Sequence, residues 1–181
     1  WFQHAAMVTP EGYIFVLDNG NNKSKIESER VAAKDSYTRG VMYEIDTEKM
    51  EIEQIWQYGK ERGADFYSPY ISDVDYLAED HYIVHSGGIS YKNGEHVNKP
   101  AAVVAADKLV SSTVELINDE VVFEIELPTN NYRVEKMPAY VDVDKAGFVD
   151  VKLNRLGSLG TTSVEETKFG LFLKDLHDIS E

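Results

Sequence analysis

Apolar and polar residues alternate with a period of two through most of the first 140 residues, and helical spacing is scarce. Such alternation puts successive side chains on opposite faces of an extended strand, so it commits the chain to sheets. The pattern predicts strands over residues 2–8, 12–18, 40–46, 51–58, 71–77, 81–87, 101–107, 113–117, 121–127 and 132–137. Turn-forming residues separate them at Thr9-Pro10-Glu11-Gly12, Asn19-Gly20-Asn21-Asn22, Gly59 to Gly63, Gly87-Gly88 and Pro128 to Asn131.

The strands group in fours. Gln3 to Met7, Tyr13 to Asp18, Val41 to Asp46 and Ile52 to Tyr58 make one set. Ser72 to Leu77, Tyr82 to Ser86, Ala102 to Asp107, and either Thr113 to Ile117 or Val121 to Leu127 make the next. The second strand of each set ends in glycine (Gly20, Gly88) and the third in aspartate (Asp46, Asp107). A repeating four-strand unit is the mark of a β-propeller blade. The expected class is therefore all-β, with a β-sandwich or a plain antiparallel sheet as the alternative. The long insertions, Asn21 to Thr38 and Ile89 to Pro100, follow the second strand of both sets and should emerge on one face.

Charge narrows the partners. The 181 residues suit one domain with a real core, and their formal charge of −14 disfavours nucleic acid and anionic membranes. An anionic substrate would need locally positive groups. There is no cysteine, which excludes disulfides, thiolate metal sites and cysteine nucleophiles. No apolar run approaches the roughly 20 residues that cross a bilayer as a helix. Asp142 to Asp150 resembles the start of a calcium loop, but Ala146 and Leu153 break the ligand set. Gly157 to Ser163 lacks the Gly-Lys-Ser/Thr ending of a phosphate loop. Neither a metal nor a cofactor is expected. The chain opens inside a strand at Trp1, which suggests that further strands lie upstream or on another chain.

Two histidines interrupt apolar strands: His4 in Phe2-Gln3-His4-Ala5, and His85 in Tyr82-Ile83-Val84-His85-Ser86-Gly87-Gly88. Imidazole can attack, take a proton and return it near neutral pH. The glycines after His85 let backbone and substrate approach closely. The plain alternatives are a satisfied core histidine at 85 and an edge-strand histidine at 4.

Several stretches resemble the bacterial arylsulfate sulfotransferase family. They are Phe2-Gln3-His4, Val16-Leu17-Asp18-Asn19-Gly20, Tyr37 to Asp46, and Ile55-Trp56-Gln57-Tyr58-Gly59-Lys60-Glu61-Arg62-Gly63 continuing to Asp65-Phe66-Tyr67-Ser68-Pro69. The resemblance covers residues 1–137; residues 138–181 read as the last strands and tail of the same domain. It implies a six-bladed propeller with its site at the central channel, of which this chain would be about the C-terminal half. The remaining blades would come from a missing N-terminal part or a homodimer partner. It also implies transfer of a sulfuryl group from a phenolic sulfate ester to a phenol through a sulfated histidine, without the adenylylated sulfate donor, in a periplasmic or extracellular protein. Donor and acceptor would be small-molecule aryl sulfate and phenol.

That chemistry needs a nucleophile, cations for the sulfuryl oxygens, and an acid for a phenolate whose conjugate acid has a pKa of roughly 10. The resemblance implies His85 as nucleophile and His4 as acid/base or as a cation on the sulfate. It also implies an arginine after His4, where Lys23 stands instead; Arg39 is the alternative. Asn19 could donate to a sulfate oxygen, or could simply serve a turn as part of Asn-Gly. Tyr132 or Arg133 could reach the channel, and Tyr67 and Tyr70 could stack on an aromatic acceptor. The charged block from Lys60 reads as an ion-paired connection. His81, His96 and His177 receive no role. The competing function is a propeller that binds aryl sulfates or other small anions without turnover, which the missing arginine favours.

Overall fold

The computed structural model describes residues 1–137, of which Trp1–Lys136 form one compact unit. Expectations for residues 138–181, including Asp142 to Asp150, Gly157 to Ser163 and His177, lie outside the described residues. Two antiparallel sheets make up the unit. The first runs β1 (Gln3–Val8), β2 (Ile14–Asp18), β3 (Arg39–Asp46) and β4 (Glu51–Tyr58) in spatial order. The second runs β5 (Asp73–Ala78), β6 (His81–Lys92), β8 (Lys108–Ile117) and β9 (Glu120–Leu127), with the short β7 (Glu95–His96) also paired to β6. The class is all-β; the first expected set of four strands is present, whereas the second sheet has five strands and does not contain the strand expected at Ala102 to Asp107.

The sheets pack face to face. Phe15 and Leu17 of β2 and Met42 of β3 meet Val74, Tyr82, Val84, Val114 and Leu116 of the second sheet. Phe15, Trp56 and Tyr82 form an edge-to-face cluster with centroids 4.8 to 5.6 Å apart, the geometry that aromatic quadrupoles favour. Polar ties cross at the rim of this core. The indole of Trp56 donates to Asp119 at 2.7 Å, and Tyr76 donates to Glu11 at 2.6 Å. Arg62 donates to Glu124 at 2.6 Å and to the Tyr58 hydroxyl at 2.9 Å, so the charged block after Tyr58 does join the two sheets. That block, Lys60–Phe66, is 3-10 turn with a break at Gly63.

Two expected strands are absent. Residues 101–107 begin with a one-turn helix, Ala101–Val104, and Ala105 turns left-handed at φ 48°. An unalternating apolar run does not discriminate strand from helix, and alanine favours the helix. The third strand of the second sheet is therefore Lys108–Ile117, longer than the expected 113–117. Asp107 lies before that strand and caps the β6–β7 hairpin by accepting from the Asn93 amide at 2.7 Å. It is not the counterpart of Asp46, which ends β3 and caps the next turn. Residues 132–137 carry no strand. They lie against the second sheet, where Arg133 pairs with Asp73 and Lys136 with Glu115. The insertion expected at Ile89 starts later, because β6 continues to Lys92.

Gly40 sets how closely the sheets approach. A methyl there would lie 3.0 Å from Val84 and 3.3 Å from Val74, against the far sheet. Gly40→Val should destabilise the protein by about 1–3 kcal/mol through overpacking, read as a lower urea midpoint with an unchanged slope.

Candidate active site

A bulge follows each of the two histidines. On β1 the register passes from His4↔Leu17 to Met7↔Phe15, so Ala5 and Ala6 face the single residue Val16. Ala5 takes φ 51°, a left-handed backbone unusual for a residue with a side chain. On β6 it passes from Ser86↔Ser112 to Ile89↔Val110, so Gly87 and Gly88 face Ser111. Bulges bend a strand and re-aim the side chains beside them.

His85 is fully buried. Its partners across the sheet are Asp73 on β5 and Thr113 on β8, which point to the same face. The Asn131 carbonyl lies 3.1 Å from Nε2 and can only accept, so Nε2 carries the proton. Nδ1 then accepts from the Thr113 hydroxyl at 2.9 Å. Both ring nitrogens are thus engaged. Burial holds the imidazole below its usual pKa, partly opposed by hydrogen bonding. Gly87 is required here, since a side chain would collide with the Asn131 carbonyl and come within 2.9 Å of His85 Nε2.

His4 is half-buried and differently placed. Its Nδ1 meets the side-chain oxygen of Asn19 and, at 3.2 Å, the Phe2 carbonyl. Among the described residues its Nε2 has no hydrogen-bond partner. Asn19 itself is fully buried at the end of β2, and its amide nitrogen donates at 2.8 Å to both the Ser68 and Ile71 carbonyls. Both amide hydrogens are spent on backbone, so Asn19 has none left for a sulfate oxygen.

The segment that receives those bonds reaches His85. Ser72 accepts from the Gly87 amide at 2.9 Å, and Ser68 accepts from the Gly88 amide at 2.8 Å. Ser72 also donates to Ser68 at 2.9 Å. One chain of contacts therefore runs His4, Asn19, Ser68 to Ser72, Gly87, His85. Ile71 and Ser72 hold φ of 49° and 101° within it. A β-branched residue at positive φ is a strained conformation that its surroundings must enforce.

Of the expected cations, Arg39 and Arg133 are held in ion pairs and Lys23 rests on an aromatic ring. Arg39 donates to Asp18 at 3.2 Å and to the Gln54 and Gln57 side chains. Lys23 lies 3.2 Å from the centroid of the Tyr37 ring, and burial lowers its pKa. Arg133 pairs with Asp73 at 3.3 Å, while Tyr132 is exposed. Tyr67 is fully buried and donates to Asn98 at 2.6 Å, so it offers no stacking face. Tyr70 packs over Gly88. His81 pairs with Glu115 and the His96 ring lies against Tyr91, so neither joins this chain of contacts.

Residues 1–140 match the sequence model of the family described as Arylsulfotransferase (ASST). The chain belongs to the arylsulfotransferase family. It is 38% identical over 86 residues to the arylsulfate sulfotransferase AssT of Escherichia coli O6:H1 (strain CFT073), covering 48% of this chain and 14% of that protein. It is 42% identical over 74 residues to the arylsulfate sulfotransferase AssT of Lelliottia amnigena, covering 41% of this chain and 12% of that protein. The aligned stretch is thus a small part of either relative's length.

Within this member of the family, the sequence reading named both histidines and Asn19 but missed what connects them. Thr38, Ser68, Ser72, Thr113 and Asn131 have no chemical signature of their own. The one available signal was Ser68, just before Pro69 at the end of the block that carries the family resemblance; Ser72 lies beyond that block.

The depressed pKa of His85 makes stability pH-dependent. Above the unfolded value of about 6.5, neither state binds the proton and the contribution is complete. As pH falls through that value, the unfolded chain protonates first and stability is lost until folded His85 titrates as well. His96 has the same direction through burial and adds to the slope. Unfolding free energy should therefore fall from about pH 7.5 to about 5.5 in the parent and fall less steeply in His85→Gln. Equal slopes would contradict the burial effect.

Proposed function

We propose that this chain supplies part of an arylsulfate sulfotransferase site, in which a sulfuryl group passes from a phenolic sulfate ester to an imidazole and then to a phenol. The observation that carries the proposal is the contact chain joining His4 to His85 through Asn19 and Ser68 to Ser72. Family membership supplies the reaction type.

In the first half-reaction an imidazole lone pair attacks sulfur and the sulfur–oxygen bond breaks. The departing phenolate keeps the bonding electrons and takes a proton. In the second, the acceptor phenol gives its proton to a base and its oxygen attacks sulfur. The sulfur–nitrogen bond breaks, and its electrons return to the ring. Little covalent work falls to the protein beyond this, so positioning and electrostatics supply most of the rate, as in phosphoryl transfer.

The resemblance assigns the sulfated ring to His85 and proton transfer or sulfate contact to His4. For His85 to accept the group at Nε2, that nitrogen must lose its proton and the Asn131 carbonyl must withdraw. A specific observation favours the reverse assignment as a second reading. His4 already holds an unengaged Nε2 among the described residues, whereas His85 does not. The propeller belongs to the same proposal: two face-to-face four-stranded meanders suit neighbouring blades. The exposed Phe123, Ile125 and Leu127 on β9 suit a further sheet.

The full-length protein should be incubated with 4-nitrophenyl sulfate and a phenol, following nitrophenolate release and mapping the sulfuryl adduct by mass spectrometry. An adduct on the His85 peptide supports the first assignment, and one on the His4 peptide supports the second. Binding without release or adduct would replace transfer by the anion-binding reading. If His4 moves the proton, His4→Ala should lower turnover by about 10²–10⁴-fold.

A further inference from the structure

We propose that Asn19 is a positioning residue, which holds His4 as the Nδ1–H tautomer and presents an unprotonated Nε2 to the substrate. The inference rests on the reading of His4 as a site residue. It gives Asn19 a role other than turn formation or sulfate binding.

Three constraints converge on one proton. The Asn19 amide nitrogen faces two backbone carbonyls, of Ser68 and Ile71, each at 2.8 Å. A carbonyl cannot donate, so the side chain cannot rotate by half a turn without setting its oxygen against two others. Its oxygen therefore faces His4, where it can only accept. The Phe2 carbonyl, 3.2 Å from the same ring nitrogen, is also an acceptor. Nδ1 must supply the hydrogen, which leaves the lone pair on Nε2 in the neutral ring.

Burial makes the constraint firm. Asn19 is fully buried, so water is not at hand to replace either carbonyl bond. Thr38 anchors the same turn by hydrogen bonding the Asn19 and Ser68 carbonyls at 3.1 and 3.2 Å. The bulge at Ala5, with φ 51°, directly follows His4 and bends the strand there. The orienting group is a neutral amide. It fixes the tautomer without placing a full negative charge against the ring, as a carboxylate would.

The consequence for transfer is direct. The acceptor phenol's proton passes to His4 Nε2 as phenol oxygen bonds to sulfur, giving an imidazolium. The Nδ1–H bond to Asn19 becomes charge-assisted and strengthens at that moment. In the opposite half-reaction the imidazolium returns the Nε2 proton to the departing phenolate and becomes neutral again. The other tautomer would present N–H to the phenol and could not take its proton.

The test reads the tautomer without substrate. In the full-length protein labelled with ¹⁵N-histidine, long-range nitrogen–proton NMR at neutral pH should show His4 with a protonated Nδ1 and a bare Nε2. Asn19→Ala should shift His4 toward the Nε2–H form and lower kcat for 4-nitrophenyl sulfate by about 10²-fold, the low end for a positioned base, with a smaller change in KM. Asn19→Asp should keep Nδ1–H and move the acid limb of the kcat/KM profile to higher pH. An Nε2–H tautomer in the parent, or an unchanged tautomer in Asn19→Ala, would overturn the proposal whatever the turnover. If Asn19→Ala does not fold, the parent spectrum alone decides. Absence of turnover in a parent with the expected tautomer would count against the transfer reaction and leave the role of Asn19 in orienting the ring intact.

Discussion

Both hydrogens of one buried amide, Asn19, are given to the carbonyls of Ser68 and Ile71, and the meeting of the two sheets at this end depends on that gift. The segment it grips enters β5 through Ile71 and Ser72, both at positive φ. Such residues cost of order 1–3 kcal/mol each. A typical hydrogen bond returns about 1 kcal/mol net, so two amide bonds alone would at best match the strain. Ser68 and Ser72 accept from the amides of Gly88 and Gly87, and the Ser68 amide donates to the Thr38 hydroxyl. The strained turn persists because several buried partners share it. Removing any one leaves a polar group unpaired away from water, which costs more than the bond returned.

The sheets themselves were legible because they follow from alternation. β1 to β6, β8 and β9 lie within a few residues of where alternating apolar positions place them. The two misplaced strands show where alternation stops informing. Ala101 to Ala106 is apolar throughout, so neither face is marked, and local helix preference decides its first turn. Residues 132–137 do alternate, yet β9 has taken the neighbouring place on β8, and this segment instead pairs its charges with Asp73 and Glu115. Sequence pattern marks which residues can make a strand. It does not mark which will find an unoccupied edge.

The candidate site was legible in its two histidines and opaque in what surrounds them. His4 and His85 stand out because a titratable ring in an apolar strand is chemically conspicuous. Asn19 stood out as well, but a turn asparagine beside glycine has an everyday explanation, and its actual partners lie 49 and 52 residues away. Serines in a connecting segment carry no signal until backbone amides are seen to point at them. The same holds for Asn131, whose contact with His85 is made by a carbonyl that every residue possesses. Contacts that use backbone atoms are invisible to a reading based on side-chain types.

Electrostatics separates the two cations that the sequence left as alternatives. A sulfate ester adds negative charge to a chain whose formal charge is already −14. Arg39 meets Asp18 at 3.2 Å, and Asp18 is nearly buried, so much of the guanidinium charge is answered before a ligand arrives. Drawing Arg39 toward a sulfate would break a largely buried ion pair and leave Asp18 with the Trp1 amino group and the Gly20 amide. Lys23 rests on the face of Tyr37, whose ring attracts a cation without neutralising it. Its partial burial also strengthens its field toward an anion. Lysine lacks the fork that grips two oxygens at once, so it would bind a sulfuryl group as a point charge and leave orientation to other donors. On the proposed reading of the site, Lys23 would therefore be recruited more readily than Arg39, because it has no ion pair to break among the described residues.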